Sequence, residues 1–359
     1  MNPSPVIRLA LPGKGTLEAS TLAFLSECGL KVNRNNPRQY LASVSSMPDL
    51  EVVFQRAADI PLLVHDGDAT FGITGYDILA EFRGTADTED NEEGDNEDIL
   101  ILDQDLGYGN CRLVVAVPEN WIDISTCADL WHLTGYYLDH KKRGLRVATK
   151  YPALTGQFLR KHGITHCKII SPHGALEAAP LTETADLIVD LTETGTTLRE
   201  NHLKLLEDGI VLRSQACLIG STRLLRENQP ALNMASIMLE LIEARKQARN
   251  RSILTAHLET DTLEEMRRNC SFLTQRLNHL VSGLEYQVSH TEKEDIIKLC
   301  RYTISGVTNV GSSASDFLEI VSVLRSSGAK QINITPLTYR FEKEPSSVRA
   351  LIKRLKRKQ

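Results

Sequence analysis

The chain has 359 residues, 42% of them hydrophobic and 24% charged, with a formal net charge of −5. That length holds two or three domains, the balance excludes wholesale disorder or a fibrous repeat, and the near-neutral charge argues against a nucleic-acid surface. No run approaches the ~18–20 apolar residues of a membrane span, and residues 1–11 lack a basic-then-apolar leader, so a cytoplasmic chain with neither membrane nor nucleic acid as partner is expected. The seven cysteines form no C-x-x-C pair, which reads as reduced thiols rather than a disulfide framework.

Short β-branched runs at 6–11, 51–54, 70–74, 113–117, 145–149, 168–170, 187–190 and 210–214 are predicted strands. Between them, 17–28, 57–65 and 154–161 are predicted helices, stopped at Gly29, Gly67 and Gly163, a common helix-ending residue. Strand–helix alternation at this spacing predicts parallel sheets covered by helices, an α/β fold. Two stretches interrupt it. Residues 87–98 are nearly all Asp, Glu, Asn and Gly and read as a solvated loop; residues 126–142, with His132 and His140, read as a connection containing some helix. A longer helix is predicted over 229–249. The pattern then changes to strand 253–258, helix 262–280, strands 284–288 and 296–304, helix 314–324 and strand 331–335, the βαββαβ order of a ferredoxin-like module. The basic tail from Arg349 to Lys358 reads as a solvated helical face.

The chemistry concentrates at 185–199. An apolar strand ends in Asp190, then Thr192-Glu193-Thr194-Gly195-Thr196-Thr197-Leu198 leads into a helix start. Free N–H groups at such a start, beside threonine hydroxyls, can cradle a phosphate, and Gly195 lets the backbone approach an anion. The acid at the strand end could accept hydrogen bonds from sugar hydroxyls. On the residues alone, an N-capped helix after a turn accounts for the pattern equally well.

This segment resembles the signature of the ATP phosphoribosyltransferase family. Glu177, Asp190, Thr194, Gly195, Thr197 and Leu198 fall on the positions that bind phosphoribosyl pyrophosphate in that family, and Thr196 lies among them. Further blocks follow in family order: 9–17, 36–40, 59–61, 72–77, 107–118, 146–152 and 173–180. Thr16, Thr70, Gly156 and Glu183 depart from the family pattern, Glu183 standing where glycine is usual. The C-terminal third resembles the ACT-like regulatory domain of the long form, which binds histidine.

The resemblance implies a two-lobed catalytic part like the periplasmic-binding-protein type II folds, followed by a ferredoxin-like (ACT-like) domain. The expected division is 1–110 with 200–228 as a discontinuous first lobe and 111–199 as the second. A linking helix at 229–251, a regulatory domain at 252–345 and a basic tail at 346–359 complete it. The implied reaction joins ATP, through adenine N1, to phosphoribosyl pyrophosphate with loss of pyrophosphate and Mg²⁺ as cofactor, the first step of histidine biosynthesis. Histidine would be the feedback inhibitor and the assembly a homo-oligomer, a hexamer by the same resemblance. Fixed cations would stabilise the leaving group. Arg38 and Lys14, with Asp190, are the catalytic candidates; Lys14, Arg56, Gly75, Thr149 and Tyr151 are the nucleotide-binding candidates. His173 is a weaker candidate near the ribose.

No metal ligand is expected among the protein side chains: His162, His166 and Cys167 cluster in sequence, but Gly163 separates them. Cys111, beside a strand, reads as a small buried residue rather than a nucleophile. Two rival readings share the fold: a two-lobed solute-binding or sensor protein, and a paralog that has lost turnover. The acid-plus-T-G-T-T loop favours the transferase.

Overall fold

The computed structural model describes residues 6–34, 36, 38–86, 98–171, 175–291, 300–309 and 314–356. Most of the acidic run, 87–97, and His173 lie outside the described residues. The chain divides into two compact units, 1–239 with 346–359 and, inserted between them, 240–345.

The first unit opens with β1 (Ile7–Pro12), α1 (Thr16–Glu27), β2 (Val32–Asn33), β3 (Leu41–Val44), β4 (Met47–Gln55) and α2 (Ile60–Asp66). β5 (Phe71–Gly75), α3 (Tyr76–Ala86), β6 (Ile99–Asp103), β7 (Cys111–Pro118) and α4 (Cys127–Lys141) follow. Next come β8 (Leu145–Thr149), α5 (Pro152–Lys161), β9 (Cys167–Ile170), β10 (Leu187–Thr192) and α6 (Thr196–Glu200). β11 (Leu203–Ser214), β12 (Ala216–Ser221), α7 (Thr222–Glu227) and α8 (Gln229–Ala248) complete the run.

These strands make two sheets, hence two lobes. The first has the order β2-β3-β4-β1-β5-β12-β6 and the second β11-β7-β10-β8-β9. β1 runs parallel to β4 and β5, and β8 parallel to β9 and β10. β5 and β12, side by side in the first sheet, are buried along their whole length, which explains their mostly apolar sequences. In the second lobe, Val115, Val147 and Val189 face one core while Val114, Ala148 and Ile188 face the other.

Two expectations are corrected here. The strand at 210–214 does not return to the first sheet. It is the end of β11, antiparallel to β7 from Leu203↔Pro118 to Ser214↔Cys111. The polar Glu207-Asp208-Gly209, which looks like a turn in the sequence, sits inside this strand at a register shift between Leu205 and Ile210. The chain re-enters the first sheet only after Gln215, as β12, so the lobe crossing falls at 215 instead of 200.

The C-terminal tail is not a solvated face. Its described part is α11 (Ser346–Lys356), numbered after the second unit's helices α9 (Leu263–Leu277) and α10 (Ala314–Ser326). Val348, Leu351 and Leu355 recur at helical spacing, Leu351 is 3% exposed, and α11 packs on α7 and on the edge strand β6. Arg354 Nη1 donates to the Ile101 carbonyl at 2.7 Å.

The second unit carries β13 (Arg251–Thr260), then α9, β14 (Val281–Thr291), β15 (Cys300–Asn309), α10 and β16 (Ala329–Pro336). Its antiparallel sheet has the order β14-β15-β13-β16, the ferredoxin-like arrangement expected from the βαββαβ pattern. Burial alternates strictly along β13, placing Leu254, Ala256 and Leu258 in a core with Leu273, Leu277, Tyr302 and Leu324. Thr262 caps α9 by accepting the Glu265 N–H at 3.1 Å. The unit boundary lies inside α8, between Leu239 and Glu240, and not in a loop.

Candidate functional site

A cavity of about 530 Å³ opens between the two lobes of the first unit. The first lobe contributes Thr16, Leu17 and Ser20 of α1, Ala57, and Gly75, Asp77 and Ile78 at the β5–α3 junction. The connection Gly109-Asn110-Cys111, Tyr151 and the pair Leu191 and Glu193 complete the wall. Such a cleft at strand ends is where open α/β sheets hold ligands. α1 begins there at Gly15 without a side-chain cap, so its first N–H groups are open to a ligand.

Across this cleft the lobes share the Asp77 carboxylate. Asp77 is 4% exposed and accepts an O–H bond from Tyr151 Oη on Oδ2 at 2.6 Å and from Ser214 Oγ on Oδ1 at 2.6 Å. Its own N–H donates to Ser214 Oγ at 2.8 Å. Burial, then the Asp77 charge, drives the Tyr151 hydroxyl pKa well above its ordinary value. A side chain at Gly75 would strike Asp77, with a Cβ 2.4 Å from Oδ1. Thr149, fully buried, positions the same corner by accepting the Tyr151 N–H on Oγ1 at 2.9 Å. Sequence reasoning missed Asp77 and Ser214. Asp77 closes the 72–77 block, which was a signal without a role; Ser214 gave none. Burial, followed by the Asp77 charge, also raises the Cys111 pKa, keeping this thiol protonated and unsuited to nucleophilic attack.

Beside the cleft lies the loop from Asp190 to Leu198. β10 pairs on both sides, with Asp190 opposite Val114 of β7. Gly195 adopts φ 78° and ψ 5° at the start of α6, a left-handed conformation that side chains with a Cβ disfavour. Its N–H donates to Thr192 Oγ1 at 2.8 Å, and Thr194 and Thr196 share a hydroxyl bond at 2.9 Å. Thr194, Thr196 and Thr197 are exposed while Leu198 is buried beneath them, so the leucine anchors the loop and the hydroxyls face solvent. Burial raises the Asp190 pKa and the Glu177 carboxylate raises it further, against the Leu191 N–H, which donates to Asp190 Oδ1 at 2.8 Å, and the Lys150 charge. Glu177, in a short turn at Leu176–Ala178, therefore lies within electrostatic reach of Asp190.

The three candidate cations stand apart from this group. Lys14 is exposed between β1 and α1, Arg38 between β2 and β3, and Arg56 after β4; none of them lines the cavity. Among the departures from the family pattern, Thr16 lines the cavity, whereas Thr70 is buried at the start of β5. Glu183 has φ 55°, which explains why glycine suits its position.

The fold and cleft define a two-lobed α/β protein with a cavity between its lobes. The ATP phosphoribosyltransferase family profile matches residues 56–243. A relative from Arabidopsis thaliana, ATP phosphoribosyltransferase 2, chloroplastic, is 36% identical over 94% of this chain and 78% of its own length. The ATP phosphoribosyltransferase of Brucella melitensis is 43% identical over 60% of this chain and 90% of its own. Among solved structures, the ATP phosphoribosyl transferase (HisG:HisZ) complex from Thermotoga maritima aligns at 26% identity over 66% of this chain and 98% of that chain, with a TM-score of 0.46. The chain belongs to the ATP phosphoribosyltransferase family, and it is a pentosyltransferase of histidine biosynthesis. That membership decides against the solute-binding reading. No described helix is long and apolar enough to cross a membrane.

Proposed function

We propose that the chain joins ATP, through adenine N1, to the anomeric carbon of phosphoribosyl pyrophosphate, releasing pyrophosphate. The observation that carries this reading is the Asp190–Leu198 loop, where a left-handed Gly195 starts a helix among three exposed threonines. In it, the N–H groups and hydroxyls of Thr194, Thr196 and Thr197 and the N–H of Leu198 hold the 5-phosphate, while Gly195, its own N–H bonded to Thr192 Oγ1, gives the left-handed turn that lets the backbone approach the anion. Asp190 and Glu177 accept from the ribose hydroxyls. The nucleotide enters the cleft at Gly75 and Tyr151, a corner that the buried Thr149 holds from behind instead of touching the ligand, with Lys14 and Arg56 toward its phosphates. Charge builds on the departing pyrophosphate, so the exposed guanidinium of Arg38, which can grip phosphate bidentately, is assigned to it. N1 is itself the nucleophile, and no covalent enzyme intermediate is needed.

Mg²⁺ keeps phosphate and carboxylate oxygens as ligands, and Asp190 and Glu177 supply such oxygens beside the loop; when bound, the ion would neutralise pyrophosphate charge. The second unit is assigned to feedback inhibition by histidine, on its βαββαβ order and the family resemblance. Inhibition at a separate unit requires two states that histidine binds unequally, coupled by about 1–3 kcal/mol. A homo-oligomer, hexameric by that resemblance, in a reducing compartment such as the cytoplasm completes the reading. The test follows phosphoribosyl-ATP formation by absorbance, from ATP and phosphoribosyl pyrophosphate, with and without histidine. Product growth that histidine suppresses is expected; no product would refute the catalytic assignment, and histidine-insensitive turnover the regulatory one.

A further inference from the structure

Three side chains that the cleft does not use converge in the second lobe. Cys127 is the first residue of α4, His162 directly follows α5, and Asp208 sits in the register shift of β11. The Cys127 Sγ, a ring nitrogen of His162 and a carboxylate oxygen of Asp208 all lie within 4.8 Å of one another. Each is held by its own element. Asp208 Oδ1 accepts the Cys127 N–H at 2.7 Å, and the Cys127 Sγ lies 3.9 Å from the Asp208 carbonyl oxygen. The His162 ring rests on Phe158 with centroids 4.5 Å apart. At Gly209 a Cβ would come within 2.8 Å of the Leu206 Cβ, so the tight path that presents Asp208 needs glycine next to it. Cys127 is 1% exposed, His162 is half-buried and Asp208 is exposed, which leaves the group open to solvent on one side.

We propose that Cys127, His162 and Asp208 bind a zinc-class divalent transition metal, with water as the fourth ligand. A thiolate, an imidazole and a carboxylate form the mixed donor set that tetrahedral Zn²⁺ and Co²⁺ accept, whereas Mg²⁺ demands oxygen. On binding, the Cys127 S–H bond breaks, its proton passes to solvent and an S–metal bond forms, with no change of oxidation state. The ion ties the start of α4, the end of α5 and the β11 bulge together. This site is independent of the substrate reading.

The test uses the full chain, stripped with a chelator and titrated first with Co²⁺ and then with Zn²⁺. One equivalent of Co²⁺ should bind with a thiolate-to-cobalt charge-transfer band, Zn²⁺ should displace it, and Mg²⁺ should not. Zn²⁺ should also raise Tm, because it binds only the folded chain tightly. Cys127→Ser should abolish the band with the other six cysteines still present. His162→Gln and Asp208→Asn should weaken binding by at least about tenfold. Circular dichroism checks each variant's fold, and His162, being half-buried, keeps the test available if Cys127→Ser fails to fold. No band in the wild type, a band surviving Cys127→Ser, or unchanged affinity in folded His162→Gln would each overturn the assignment.

Discussion

Tyr151→Phe tests the joint between the lobes with the smallest available change. It removes one oxygen and keeps the ring, so packing is preserved and only the 2.6 Å bond to Asp77 is lost. A hydrogen bond to a charged group contributes about 1.5–3 kcal/mol. The half-buried setting of Tyr151 and the remaining Ser214 bond favour the lower part of that range, about 1.5–2 kcal/mol. For a unit of roughly 250 residues that is a fall in Tm of about 3–8 °C, which calorimetry resolves. The Asp77→Asn and Tyr151→Phe changes should also be non-additive in a double-mutant cycle. The pH dependence follows from the direction of the shift. Burial and Asp77 hold the Tyr151 proton in the folded chain, while the unfolded hydroxyl loses it near pH 10. The stabilisation is therefore complete below about pH 10 and declines as pH rises beyond it, and the phenylalanine variant lacks this decline. A variant Tm within 1 °C of wild type, or additive effects in the cycle, would refute the joint.

Asp186 is expected to matter for acid stability: burial alone would raise its pKa, but Arg143 and Arg146, bonded to it at 2.6–3.3 Å, hold it far below the carboxylate range. Its contribution is present above about pH 4 and is lost as pH falls through the acid range; Asp186→Asn should cost about 1.5–3 kcal/mol at pH 7 and flatten the acid limb of a Tm–pH curve. Gly195→Val forces a β-branched residue to φ 78° with its Cβ 3.3 Å from Arg199 Nη1. Calorimetry should show phosphoribosyl pyrophosphate binding abolished, and unchanged binding would sink the loop assignment. Glu183→Gly relieves a left-handed residue at φ 55° and should raise stability by about 0.5–1 kcal/mol in urea titrations; a loss of stability would show that the glutamate side chain matters more than its backbone.

The elements with a strong local period were legible: alternation along 253–258 lies within β13, and the glycine stops at 29, 67 and 163 follow helices. What the sequence concealed was long-range. Glu207-Asp208-Gly209 has turn composition, and only pairing with β7 reveals a bulge within one strand. Val348, Leu351 and Leu355 stand among so many basic residues that the tail reads as solvated until α7 and β6 supply a surface for them. In the site, the 190–198 loop is contiguous and so could be read directly, whereas Asp77 and Ser214 meet from positions 137 residues apart. Their contact carries no local signature, and the same is true of Cys127 with Asp208.

The insertion of residues 240–345 into the first unit has a genetic consequence. A stop codon anywhere in the inserted unit deletes α11 as well, even though that helix belongs to the first unit. Such a truncation would strip Leu351 and Arg354 from their seats and uncover β6, the edge of a seven-stranded sheet, and a bare edge invites aggregation. Nonsense alleles should therefore behave as loss of folding, whereas in-frame excision that keeps α11 reports on the inserted unit alone. The two classes of allele should differ in soluble yield before any activity is measured.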